Sequence, residues 1–157
     1  MENTEVVKEL SMETKITVRS LANWTTGFQR IESTGDVTIT PNGTTRLSRG
    51  EVISQVQNGN MLFTGIDGVG SHATLYIEDA DTREELDFDN KKEKKVQKIL
   101  TPALVAKLFA YKGMSKTFKD KVSEYIVTSA EKSAVMMMIK KGNYNDYEKI
   151  RFIENYT

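Results

Sequence analysis

Apolar and polar residues alternate with a period of two along the first half of the chain and recur at helical spacing along the second. Ile16 and Val18 share one face, and Lys15, Thr17 and Arg19 the other, which predicts a strand. Gly27 allows a bend after Trp24, and Phe28 with Ile31 continues the apolar face. Val37 and Ile39 alternate with polar neighbours. Pro41, Asn42 and Gly43 then form a hairpin signal, so residues 44–47 are expected to return as the paired strand.

Ser48 and Glu51 have the spacing of a capping box, in which the serine takes an orphan amide and the glutamate reaches back to the cap. The helix they open carries Val52, Ile53 and Val56 inward and closes at Asn58 and Gly59. Leu62 and Phe63 are expected to enter a strand, residues 65–72 to turn it, and Ala73, Leu75 and Ile77 to alternate with Thr74, Tyr76 and Glu78 in the next. Residues 83–88 complete the set as an edge strand, with Leu86 and Phe88 between acids that discourage unwanted pairing.

Beyond residue 98 the period becomes helical. Thr101 and Pro102 open a helix with Leu104, Val105, Leu108 and Phe109 inward, and Gly113 closes it. Ser115 starts a second through Phe118, Val122, Tyr125 and Ile126. Thr128 and Glu131 form another capping box, before a helix lined by Ala134, Val135, Met138 and Ile139 that ends at Gly142. Asn143 or Asn145 is the expected cap of the last, which offers Tyr147, Ile150, Phe152 and Ile153 for burial. The expected fold is α+β: a small antiparallel β barrel or sandwich with one short helix, followed by a compact helical domain of three to four short helices. The boundaries are a flexible N-terminal arm at 1–14 (with Val6, Val7 and Leu10 at helix-compatible spacing), a β-rich domain at 15–90, a basic linker at 91–98 and the helical domain at 99–157.

Charge sharpens this division. Residues 1–90 carry 7 Lys and Arg against 15 Asp and Glu, and residues 91–157 carry 15 against 7, so halves of −8 and +8 sum to zero. Opposite patches of this kind suit docking within a chain or head-to-tail assembly, whereas a fully solvated surface would leave them without a role. The chain has no cysteine, which excludes disulfides, zinc–thiolate sites and thiol catalysis. No apolar run approaches the roughly 20 residues that span a bilayer, and the acidic start lacks a secretory pattern. A protein made and kept in a cytoplasm is expected.

Candidate chemistry is sparse. The glycines of residues 65–72 lack the lysine and hydroxyl that follow a phosphate loop, so a turn with positive backbone angles at Gly68 and Gly70 explains them. His72, the only histidine, reads as a turn or partly buried structural residue. The acids of residues 78–89 lack the glycine of a calcium loop and read as a solvated edge. No cofactor, no metal and no catalytic group is expected, and the chain reads as a non-enzyme. Trp24 supplies either a core plug, the commoner use, or a partner-facing anchor. Met136, Met137 and Met138 cannot all share one helix face, which makes Met137 a candidate contact. Lys91, Lys92, Lys94 and Lys95 form either a solvated linker or a contact for nucleic acid. The helix, break and helix of residues 101–125 outline a helix-turn-helix, but without an arginine to read guanine.

The segments RSLANW, GDVTI, RLSRGEVISQVQNGNMLFTGIDGVGSHATLYIED and NDYEKIRFIENY resemble proteins encoded among the virion structural genes of tailed phages infecting Gram-positive bacteria. The resemblance runs from about Val18 onward. It implies an accessory, capsid-associated protein of the virion, made in the host cytoplasm, that decorates or cements the capsid lattice. Its implied partners are the major capsid protein or other virion proteins, with self-association and no membrane contact. The alternative is a phage nucleic-acid-binding or host-modulating protein that uses the basic linker and the helical half.

Overall fold

The computed structural model describes residues 10–97 and 99–156. Residues 1–9 of the expected arm, with Val6 and Val7, lie outside the described residues, as do Lys98 of the linker and Thr157.

Five strands and three short helices build the first part. Strand β1 (Lys15–Ser20) is central in an antiparallel sheet of order β4-β1-β5, between β4 (Thr44–Ser48) and β5 (Leu75–Ile77); β2 (Thr26–Gln29) and β3 (Asp36–Ile39) form a second sheet. Period-two patterning sets the register. Ile16 lies opposite Leu47, and Val18 opposite Ile77, so the apolar faces of all three strands coincide. Val37 and Ile39 of the second sheet enter the same core, which α1 (Arg49–Gln57), α2 (Met61–Thr64) and the turn after α3 (Ala80–Glu85) complete with Val52, Phe63 and Phe88. The fold is therefore α+β with small antiparallel sheets that do not close into a barrel.

Several local expectations are corrected. Residues 41–43 do not close a hairpin: they carry the chain from β3 in one sheet to β4 in the other, with Asn42 in the left-handed region at φ 55°. Their backbone groups tie them to the end of β1, since Asn42 N donates to Ala22 O and Ser20 N to Gly43 O, each at 2.9 Å. Leu62 and Phe63 stand in a helix, because Asn60 Oδ1 accepts the Leu62 amide at 3.1 Å and caps it. Residues 83–88 are likewise no strand. Asp79 caps α3 by accepting the Thr82 amide at 3.0 Å, and Asp87 at φ 61° turns the chain so that Phe88 is buried.

The second part is four helices: α4 (Pro102–Ala110), α5 (Lys116–Tyr125), α6 (Ser129–Lys141) and α7 (Tyr147–Asn155). Thr101, Ser115 and Thr128 cap the first three by accepting amides three residues on. Asp146 caps the last, in place of the expected asparagines, and Asn143 instead takes the left-handed position after α6. Their core joins Val105, Leu108, Phe118, Val122, Val135, Ile139 and Ile153. No residue is common to the two cores: one draws on residues 16–88 and the other on 100–153. Among the described residues no helix is long and apolar enough to cross a membrane.

Candidate functional site

The seam between the two cores gathers most of the chemistry. The 65–72 loop reaches it from the β-rich part, where Asp67 organises the turn: its Oδ1 accepts the amides of Val69 and Ser71 at 2.9 and 3.1 Å, and its Oδ2 the Ser71 hydroxyl at 2.6 Å. Burial pushes the Asp67 carboxyl up, but the hydrogen bonds from Ser71 and Val69 and the nearby Lys95 ammonium outweigh it and hold the group at about 2. Gly68 and Gly70 take positive φ, 82° and 88°, as the spacing predicts.

His72 then leaves the loop at φ 58° and places Nδ1 2.6 Å from Oε2 of Glu131, in the first turn of α6. The other oxygen of Glu131 accepts the amides of Val127 and Thr128, each at 3.0 Å. One buried carboxylate thus completes a capping box and fastens the loop of the β-rich part to the helical part. Beside this pair lies a cleft of about 560 Å³, walled by Val69, Ala73, Leu100 and Leu104, with Lys95 and Tyr125 also lining it. Gln97 lines it too, its amide N donating to Asp89 Oδ1 at 2.8 Å and its Nε2 to Gly70 O at 3.1 Å.

The hydroxyl of Ser71 is turned to Asp67, so the adjacent Ser71 and His72 are not a nucleophile–base pair. Among the described residues no group of three or more His, Cys, Asp or Glu is arranged to hold a metal ion. What the geometry does is hold two cores in register through a polar contact.

The residues singled out from sequence fall on this seam and its flanks. Trp24 is no core plug: it is 43% exposed. Next to it Asn23 Oδ1 accepts from Asn42 Nδ2 at 3.4 Å, and the same Asn42 amide lies 3.5 Å from the sulfur of Met137 on α6. Met137 therefore meets the β-rich part of its own chain. Residues 90–95, at the start of the expected linker, form an ordered turn. Asn90 and Lys95 exchange backbone hydrogen bonds of 2.8 Å in both directions, and Asn90 Oδ1 accepts the amides of Lys92 and Glu93. Lys91 faces Glu84 at 3.8 Å and Lys95 faces Asp67 at 3.7 Å, while Lys92 and Lys94 stay exposed. Sequence reasoning passed over Glu131 and Asn42 as tertiary contacts. The capping spacing marks the first and the turn signal the second, but neither signal names a partner far along the chain.

The fold and seam define an α+β protein with two cores. No protein-family model, no curated protein and no solved structure matches this chain.

Proposed function

We propose that the protein is an accessory structural component of a bacteriophage particle, decorating or cementing the capsid through contacts with the major capsid protein or other virion proteins. The observation that carries this reading is the outward presentation of large apolar side chains from backbone that is already fixed. Met61 and Ile66, 73% and 60% exposed, flank the ends of α2. The Asn60 cap holds one end, and the Ile66 amide, donating to Ser71 O at 2.9 Å, holds the other. Apolar groups fixed before contact bury area on a partner at little cost in ordering. The resemblance read from the sequence, from about Val18 onward, to proteins encoded among the virion structural genes of tailed phages supplies the setting.

The nucleic-acid alternative has less to draw on. Lys91 and Lys95 already face carboxylates, which leaves Lys92 and Lys94 as the open cations of that turn. Mass spectrometry of purified phage particles, with copy number measured against the major capsid protein, tests the proposal. A simple lattice ratio is expected, together with loss of capsid binding in a folded Met61→Glu, Ile66→Glu variant. Absence of the protein from particles rejects a virion role.

A further inference from the structure

Among the described residues, the opposite charges of the two halves meet only through the connecting turn, where Lys91 faces Glu84 and Lys95 faces Asp67. Among the described residues no ion pair joins an acid of residues 15–90 to a lysine or arginine of residues 99–156; the pair across the seam, His72 with Glu131, runs in the opposite sense. The basic side chains of the helical part therefore point elsewhere, and the fold collects several of them at one end.

Helix α6 starts at the seam with Glu131, still touches Asn42 of the β-rich part through Met137, and ends with Lys140 and Lys141 about 15 Å along its axis from Glu131. There its end meets the end of α4 through Phe109 and Tyr144, stacked with centroids 4.3 Å apart. Lys140 and Lys141 come from the α6 side of this stack, and Lys107 and Lys112 from the α4 side. All four are exposed, and none makes an ion pair with a described residue. Two helix C-termini also converge here, and their carbonyl ends retain cations of this kind. The β-rich part offers the complement: Glu85 and Asp87, at the end of α3 and in the turn after it, are exposed beside Glu84, which faces Lys91.

We infer that this basic pole docks on the acidic α3 surface of a second copy of the chain, giving head-to-tail association. The interface is heterologous, so each copy keeps one pole and one acidic surface free, and growth continues unless the rotation closes a ring. Charge complementarity sets the register, and the contact is strongest at low ionic strength. The inference goes beyond the capsid reading and is tested without capsids.

Sedimentation of the purified full chain is the experiment. Self-association is expected at about 0.02 M salt and should weaken at least tenfold by about 0.5 M, where exposed charges are screened. Lys140→Glu, Lys141→Glu should be monomeric at low salt, and so should Glu85→Lys, Asp87→Lys, with helical content unchanged. Mixing the two variants should restore association, because each then presents the charge that the other has lost. A wild-type chain that is monomeric at every salt concentration overturns the inference, as does association indifferent to salt or a mixture that stays monomeric. A monomer that binds a DNA duplex through the same lysines overturns it in favour of nucleic acid.

Discussion

His72 Nδ1 and Glu131 Oε2 lie 2.6 Å apart across 59 residues of chain, and the same glutamate caps the helix on which it stands. Local and tertiary order are thereby joined in one carboxylate. Glu131→Ala removes the acceptor of the Val127 and Thr128 amides along with the partner of His72, and should cost about 2 kcal/mol. Glu131→Gln keeps an oxygen for the amides and presents an NH₂ to the imidazole, so it should cost under about 1 kcal/mol. Urea unfolding measures both. Equal losses would show that a neutral amide replaces neither the cap nor the contact with His72.

Lys149 is buried between α4 and α7, with its ammonium given to the carbonyls of Phe109 and Tyr111 and set over the Phe118 ring at 5.2 Å. Those carbonyls end α4, where no further turn of helix can satisfy them. Lys149→Met keeps most of the volume but orphans the acceptors, and should destabilise the chain by about 2 kcal/mol in urea unfolding. An unchanged midpoint would mean that the carbonyls find other donors.

Glu51 shows where the sequence stops being legible. Its spacing from Ser48 reads as a capping box, and the Ser48 hydroxyl does accept the Glu51 amide at 3.2 Å. The carboxylate, however, goes to the amides of Ile31 and Glu32, beyond β2. Thr128 and Glu131 have the same spacing and do close the full box. Spacing reports which local bond is available; the tertiary fold decides whether a better donor stands nearby. The four helices of the second part were legible because each has an apolar face and a cap within its own segment. Residues 62–63 and 83–88 were not, because runs this short fit an alternating pattern as well as a single helical turn, and Asn60 and Asp79 decide between them by taking amides. Among the candidate contacts, Met137 was recognised as a residue in need of a partner, but that partner, Asn42, lies 95 residues away.

Acid should weaken the β-rich part first. Burial raises the Asp79 carboxyl, but hydrogen bonds from Thr82 and Arg49, with the Arg49 charge, pull it below the ordinary value of 3.8, and Asp67 is lowered to about 2. A carboxyl lowered on folding contributes stability above its unfolded value, and that contribution is lost as the pH falls through the folded one. Stability should therefore decline between about pH 4 and pH 2. Asp67→Asn and Asp79→Asn should each flatten that decline in thermal unfolding followed against pH. A slope unchanged in both variants would place the acid sensitivity elsewhere.

Gly70 and Gly68 separate two costs that a glycine loop combines. Both have positive φ, so alanine at either is strained by about 1 kcal/mol. At Gly68 nothing lies within 4 Å of the position a Cβ would take, so that strain is the whole expected effect. At Gly70 the added carbon would stand 2.7 Å from Cδ2 of Phe88 and 2.9 Å from Nε2 of Gln97, two buried side chains with little freedom to move. Phe88 belongs to the first core and Gln97 to the chain that leads into the second, so the clash falls where the two parts meet. Gly70→Ala should therefore lower stability by about 3 kcal/mol, with the excess over Gly68→Ala reporting the overpacking alone. Equal midpoints for the two variants in urea unfolding would mean that Phe88 and Gln97 yield freely, and that the loop is not wedged against the seam.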